Sequence, residues 1–211
     1  MTYRRTVVVD TETVLRNAEA IRAVRDGQQL AVSTSRSSNV RFLVDGADLL
    51  RDAGIDVVDG DLSGQNEIAV HELLGSHPET ETGVSLESHV FGLRDVAAGD
   101  GVSYGATYVA PTDRVVALAP IGFADGLDRK LSGSLRVRVN GIDSPVVGRI
   151  AMDSISIDVT AVGGVAVGDT VVVYGNTTDE GWGVRDSAEV LRISVAELIC
   201  RLSERAEVEW R

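Results

Sequence analysis

The sequence contains a single lysine. Of the 20 Lys and Arg residues only Lys130 is a lysine, so lysine chemistry such as imine formation with a carbonyl group has one candidate. Lys130 follows Arg129 in a polar loop, where a solvated charge is the alternative interpretation. Cys200 is the only cysteine and the three histidines are scattered, which excludes an intrachain disulfide and predicts no metal site. Cys200 lies between Ile199 and Arg201 on a predicted helix, where a lone cysteine is by default expected to be a small buried hydrophobic residue.

The charge balance argues against an anionic partner. The 211 residues carry 32 Asp and Glu against 20 Lys and Arg, a formal net charge of -12, which would repel nucleic acid or an anionic lipid surface. Hydrophobic residues make up 44% of the chain, enough for a core, yet no apolar run approaches the ~20 residues of a membrane span. No signal-peptide core is visible near the start. We therefore expect a cytoplasmic protein that binds neither nucleic acid nor membrane.

Residues 1–83 alternate between strand-like and helix-like segments. Short β-branched runs predict strands, and apolar residues at helical spacing predict helices. The predicted strands lie at 7–9, 29–33 and 55–58, and the predicted helical segments at 11–25, 44–54 and 68–75. The stretch at 76–83 is polar and contains proline, which is typical of a linker. We place a domain boundary there, with residues 1–83 forming a truncated βα region and residues 84–211 a second domain.

The second region has the pattern of an antiparallel β domain. Residues 135–139 alternate between apolar and charged side chains, and Asn140-Gly141 is a strong hairpin turn signal. Further strands are predicted at 154–159, 169–175 and 207–210. Ser194 and Glu197 form a capping box that opens a helix through Leu202. The predicted fold class is an α/β N-terminal remnant of incomplete βα units plus a mainly antiparallel, barrel-like β domain with a late helix.

Four motifs in this second region carry a resemblance to a known family. They are VSYGATY (102–108), APIGFADGLDRKLS (119–132), VNGIDSPVVGRIAMDSISIDV (139–159) and VGDTVVVYG (167–175). Their order and spacing resemble those of the C-terminal domain of the pyridoxal-phosphate-dependent alanine racemases. The segment QLAVSTSRSSN (29–39) is also similar to the family's strand that carries the cofactor lysine. The resemblance is strong over roughly the last 130 residues and partial before them.

The resemblance implies a two-base reaction of which this sequence keeps one half. Family members remove the α proton of an amino acid and return a proton to the opposite face. They use a lysine on a barrel strand of one subunit and a tyrosine from the β domain of the partner subunit. The tyrosine corresponds to Tyr104, for which a packed, hydrogen-bonded ring is the alternative interpretation. The lysine position holds Thr34, whose hydroxyl can neither form an imine nor act as a base at neutral pH. We predict no bound cofactor, or pyridoxal phosphate if the chain acts as an enzyme.

Other family positions are partly kept. By resemblance, the residues that line the access corridor or the substrate carboxylate site are Phe123, Arg129, Arg149, Met152 and Asp153. Phe123 stands where the family has a tyrosine, so the ring is kept and its hydrogen bond is lost. Ala196 stands where the family has a tyrosine that binds the cofactor phosphate.

Length gives a separate argument. A closed eight-stranded (β/α) barrel needs about 200 residues or more, whereas 83 precede the β domain. We therefore expect no complete barrel, and an unclosed parallel sheet has edges and a face that need cover. Association with a second copy is the simplest cover.

Two hypotheses follow from these residues. The preferred one is a binding, assembly or regulatory module without autonomous racemase activity, acting as a homodimer or as a heterodimer with a full-length alanine racemase. The alternative is an amino-acid racemase or a related acid/base enzyme that uses Tyr104, possibly to complete the active site of a partner. Recruitment of the β domain to an unrelated small-molecule reaction also stays open, because a fold does not fix a function.

Overall fold

The structure, a computed structural model, describes residues 5–33, 40–59, 67–175, 182–202 and 205–211. Thr34 lies outside these ranges. The strands are β1 (Thr6–Val9), β2 (Ala31–Ser33), β3 (Asp56–Val58), β4 (Val84–His89), β5 (Gly92–Val96), β6 (Gly101–Val102), β7 (Tyr108–Val109), β8 (Arg114–Ala119), β9 (Arg136–Val139), β10 (Ile142–Pro145), β11 (Ile155–Asp158), β12 (Thr170–Tyr174) and β13 (Glu207–Trp210). The helices are α1 (Thr11–Val24), α2 (Val40–Asp52), α3 (Val184–Leu191) and α4 (Val195–Cys200). No helix in the described ranges has the length and apolarity needed to cross a membrane.

The first strand does not belong to a βα remnant. A six-stranded sheet has the order β10-β9-β12-β4-β1-β13, so β1 lies between β4 and the last strand of the chain. It pairs antiparallel with β4 and parallel with β13. All four β1 residues are buried, which suits a strand inside a sheet. Of the three strands expected in residues 1–83, only β2 and β3 pair with each other, as a two-stranded parallel sheet.

The expected barrel-like closure is not confirmed either. Within the described residues the β domain consists of open sheets: the six-stranded sheet, a three-stranded sheet of order β11-β8-β5, and the short β6-β7 pair. One isolated bridge between Val146 and Ile157 joins the two larger sheets. β10 and β13 occupy opposite ends of the large sheet, so their edges do not meet. Residues 10–83 connect β1 to β4, far fewer than the ~200 residues of a closed (β/α) barrel.

The parallel pair finds its cover within the chain. All three residues of β2 are buried, and Val32 shares one apolar cluster with Val14, Ala18 and Ile21 of α1. Helix α2 lies against β13: a Cβ added to Gly46 would fall within the indole ring of Trp210. Burial of β2 therefore does not require the second copy that the sequence led us to expect.

The polar stretch predicted as a linker is held from two sides. Asn17 is buried, and its side-chain amide donates to the carbonyl oxygens of Leu73 and Glu81 at 2.7 and 2.8 Å. Its Oδ1 also accepts from the Glu81 amide. From the other side, Arg185 of α3 donates to the carbonyl oxygens of Gly75 and Thr80. These bonds attach residues 73–81 to both α1 and α3, and the boundary after Gly83 stays a prediction.

Local signals in the β domain are confirmed. Asn140 and Gly141 have φ of 51° and 76°, the left-handed pair that a tight hairpin requires, and they join β9 to β10. The Glu197 amide donates to the Ser194 hydroxyl at 3.0 Å at the start of α4. The helix ends at Cys200, before the predicted Leu202.

Burial gives Tyr174 a titration that should appear in stability at alkaline pH. Tyr174 is fully buried, and burial raises the pKa of its phenol, against the opposing effect of the nearby Ser187 hydroxyl. An unfolded tyrosine ionises near pH 10, so above that pH the unfolded state loses a proton that the folded state keeps. Tyr174 therefore contributes stability below about pH 10 that is lost as the pH rises towards its folded pKa.

We expect the free energy of unfolding of the native protein to fall more steeply above about pH 10 than that of Tyr174→Phe, by up to about 1.4 kcal/mol per pH unit. Other titrating groups contribute equally to both proteins, so the difference between two urea unfolding curves at each pH isolates Tyr174. Parallel pH profiles would contradict this assignment.

Candidate functional site

Tyr104 stands on an exposed turn. Residues 104–106 form a 3-10 turn between β6 and β7, and the Tyr104 side chain is 86% exposed. The turn follows Val102, which lies in a small apolar cluster with Val147. The packed ring considered from the sequence is therefore wrong, because the phenol projects into solvent.

Arg149 lies beside this turn. Its backbone amide donates to the Ser103 hydroxyl at 2.8 Å, and the same hydroxyl donates to the Arg149 carbonyl oxygen at 3.0 Å. A Cβ on Gly105 would lie 3.8 Å from the Arg149 guanidinium carbon, so the guanidinium reaches along the turn next to Tyr104. The structure thus brings together two of the residues that the resemblance singled out.

Phe123 and Arg129 form a second pair. Phe123 begins a 3-10 turn at 123–125, and Arg129 begins another at 129–131. The Arg129 guanidinium lies over the Phe123 ring, 5.4 Å from its centroid, a cation–π contact. Both residues and Arg201 line an open cavity of about 500 Å³. Asp128 also lines this cavity and pairs with Arg201 at 3.2 Å. The lining therefore offers a small polar group a guanidinium over an aromatic ring, beside a carboxylate.

Met152 and Asp153 lie in a turn that packs on the Phe123 backbone. The Phe123 amide donates to the Ala151 carbonyl oxygen at 2.9 Å, and the Ala124 amide donates to the Met152 carbonyl oxygen at 3.0 Å. The Met152 side chain is 55% exposed. The Asp153 carboxylate binds Arg205 at 3.0 Å. Both residues therefore share a surface with Phe123.

A buried carboxylate lies under this surface, and sequence reasoning missed it. Asp125 is fully buried, and its Oδ2 accepts from the Gly122 amide at 2.9 Å. Nε of Arg5 lies 3.0 Å from Oδ1 of Asp125 but outside hydrogen-bond alignment, so the contact is an ion pair. Arg205 lies 3.7 Å from the same oxygen. Asp125 lies inside the motif PIGFADG. Its position three residues after Gly122 is the spacing of a capping box, and this spacing could have predicted that its carboxylate accepts from the Gly122 amide.

The described residues at positions that the resemblance links to the cofactor do not fit pyridoxal phosphate. Lys130, the only lysine, is exposed on the 129–131 turn, where its amide donates to Asp128. Nothing in that setting removes the amine from water, as an activated lysine requires. Ala196 offers a methyl group where a phosphate contact would be needed, and Thr34 lies outside the described residues.

The remaining reactive groups do not converge. Cys200 is exposed, so the expectation that it is buried is wrong: α4 places Leu198 and Ile199 inward and Cys200 on the outer side. His71 shares a 2.7 Å hydrogen bond with the Ser76 hydroxyl. Among the residues the structure describes, no three His, Cys, Asp or Glu side chains are grouped as a metal site.

Comparisons with known proteins place the β domain in one family. Residues 83–210 match the sequence profile described as alanine racemase, C-terminal domain. Alanine racemase 1 of Clostridium acetobutylicum is 38% identical over 122 residues, 58% of this chain and 32% of that protein. The alanine racemase of Cutibacterium acnes is 39% identical over 127 residues, 60% of this chain and 34% of that protein. The chain spans about a third of the length of these curated relatives.

Solved structures show the same fold. The alanine racemase from E. faecalis superposes with a TM-score of 0.61 at 24% identity, covering 98% of this chain and 65% of that one. The alanine racemase from Oenococcus oeni superposes with a TM-score of 0.62 at 18% identity, covering 88% of this chain and 66% of that one. At these identities the likeness concerns the fold.

Proposed function

Because the chain belongs to the alanine racemase family through that family's C-terminal domain, we propose that it serves amino-acid racemisation by presenting Tyr104 to an active site that a second chain completes. The observation that carries this proposal is the 86% exposure of Tyr104 on a turn bonded to Arg149. A phenol in water has no reacting partner; one covered by another chain can exchange a proton with a bound substrate.

Other residues that the resemblance singles out would supply the groups such a site needs. Phe123 and Arg129 offer a supported guanidinium for a substrate carboxylate, and Met152 offers an exposed apolar side chain. The Phe123 and Ala124 amides bond to the turn at 151–154, and the Ser132 hydroxyl links the Arg129 carbonyl oxygen to the Ile150 amide. In the proposed role, Tyr104 holds or accepts a proton on one face of the substrate while these residues orient it.

The base for the opposite face and the cofactor belong to the partner in this proposal. Lys130 is exposed and Ala196 lacks a phosphate ligand, so we assign no step to pyridoxal phosphate in this chain. A homodimer would not supply a barrel lysine, since Thr34 occupies that position in both copies. A heterodimer with a full-length alanine racemase is therefore the assembly we propose for turnover.

Sedimentation velocity tests the assembly. The chain alone, a full-length alanine racemase alone, and their mixture are compared at equal protein concentration. We expect a heterodimer in the mixture, with Tyr104→Phe leaving its sedimentation coefficient unchanged. Failure of the chain to associate with the racemase would rule out the partner role, whether or not the chain associates with itself.

A second candidate is an assembly or regulatory module without activity of its own. It is favoured by Thr34 at the lysine position and by the solvent exposure of Lys130. Under this alternative the chain would bind a racemase and change its assembly without contributing Tyr104 to turnover. A cytoplasmic location is predicted for both candidates.

Borohydride reduction separates a recruited lysine from both candidates. After incubation with pyridoxal phosphate and reduction, we expect intact mass to show no stoichiometric adduct that depends on Lys130, because an exposed amine forms only a weak imine. Lys130→Arg and an N-terminally blocked protein are the matched controls. A stoichiometric adduct lost only in Lys130→Arg would show that this chain holds the cofactor itself.

A further inference from the structure

The turn that carries Tyr104 has a strained backbone. Ser103 has φ 66° and ψ 179°, and Ala106 has φ 44°. The region that Ser103 occupies is essentially restricted to glycine, because a Cβ there meets the backbone. Gly105, with φ 74°, completes a set of positive φ values on both sides of Tyr104. A turn of this shape persists only where its surroundings hold it.

Two glycines and one hydroxyl hold the turn. A Cβ on Gly148 would lie 2.7 Å from the Ser103 Cβ, and a Cβ on Gly101 would lie 2.4 Å from the Ala106 Cβ. Both glycines therefore leave room for a close approach. The Ser103 hydroxyl then bonds both backbone polar groups of Arg149, accepting from its amide and donating to its carbonyl oxygen.

A second serine holds the Arg129 turn on the same segment. The Ile150 amide donates to the Ser132 hydroxyl at 3.1 Å, and that hydroxyl donates to the Arg129 carbonyl oxygen at 2.6 Å. The consecutive residues Arg149 and Ile150 are thus hydrogen-bonded to two different serines, Ser103 and Ser132. This arrangement fixes the backbone of Tyr104 relative to the backbone of Arg129.

We propose that Ser103 is a positioning residue for Tyr104, an inference that rests on the function proposed above. A side chain that is 86% exposed has little packing of its own, so its direction is set by its backbone. The Ser103 hydroxyl holds that backbone in a strained shape, and so presets where the phenol oxygen meets the partner's substrate. Ser103 acts through Tyr104 and does not itself touch the substrate.

Ser103→Gly isolates the hydroxyl, because glycine adopts the same φ and ψ without strain. In the isolated chain, 15N relaxation reports the order of the Tyr104 amide. We expect its order parameter to fall from about 0.85, typical of rigid backbone, to below about 0.6, with the melting temperature preserved. Ser134→Gly, at an exposed serine outside the Tyr104 turn, is the matched control and should leave that amide rigid. An unchanged order parameter in Ser103→Gly overturns the positioning role.

The mixed complex supplies the second readout. In this complex the racemase lacks its own catalytic tyrosine, so that Tyr104 is the only tyrosine in that role. We expect Ser103→Gly to lower kcat between about tenfold and a hundredfold, because small misplacements of a reacting group have effects of that size. KM should stay unchanged. A kcat that Ser103→Gly leaves unchanged would overturn the role of Ser103 alone. Turnover unaffected by Tyr104→Phe would instead overturn the proposed function, and with it the purpose assigned to Ser103.

Discussion

Gly122→Ala is expected to lower the free energy of unfolding by about 3 kcal/mol. A Cβ at this position would lie 2.3 Å from the Ala151 carbonyl oxygen and 2.4 Å from the Met152 carbonyl oxygen. Both contacts are with backbone, so neither can be relieved by rotating a side chain. The 123–125 turn would have to move away from the 151–154 turn, which would break the two backbone hydrogen bonds that join them.

Urea unfolding measures this effect. Gly163→Ala is the matched control, because no atom lies within 4 Å of a Cβ there and its φ is not positive. We expect the control to unfold within about 0.5 kcal/mol of the native protein. Equal midpoints for Gly122→Ala and Gly163→Ala would show that the two turns do not depend on this close approach.

Asp125→Ala is expected to cost about 3 to 5 kcal/mol, because it leaves a mostly buried guanidinium without its charge partner. The Arg5 side chain is 12% exposed and lies 3.0 Å from the Asp125 carboxylate. The substitution also removes the acceptor of the Gly122 amide. Asp125→Asn keeps that acceptor and loses only the charge, so its destabilisation should be smaller.

Two further proteins make this result specific. Asp48→Ala removes a carboxylate that is 97% exposed beside Arg51 and should change stability by less than about 1 kcal/mol. Replacing both Arg5 and Asp125 with leucine should recover part of the loss, because the isolated buried charge is gone. If the double variant is as unstable as the sum of Arg5→Leu and Asp125→Leu measured singly, the ion pair is not the cause.

Short-range signals in the sequence predict much of this fold. Asn140-Gly141 specifies its own hairpin, because both residues accept positive φ. Ser194 directly precedes α4 and caps it by accepting from the amide of Glu197, three residues along the chain. The position of β1 could not be predicted in this way. Its partners, β4 and β13, are remote in the chain. A short apolar run has the same pattern whether the strand joins a parallel βα sheet or the six-stranded sheet.

The candidate site shows the same division. Motif resemblance singles out Tyr104, Arg129 and Met152 by residue type, and Phe123 by its place in the motif. It is silent on how backbone segments approach one another, since close approach at Gly122 depends on a residue far along the chain. The strained φ of Ser103 is likewise invisible, because serine is not a residue that predicts a positive φ.

Complementation of a racemase that lacks its own family tyrosine tests the proposed role of Tyr104 most directly. That racemase keeps its lysine and cofactor and is mixed with this chain, with Tyr104→Phe, or with Tyr108→Phe as the matched tyrosine control. We predict that turnover of alanine returns with the native chain and with Tyr108→Phe, and is lost with Tyr104→Phe although the heterodimer still forms. A heterodimer that forms and stays inactive with the native chain, or keeps its turnover with Tyr104→Phe, would contradict that role.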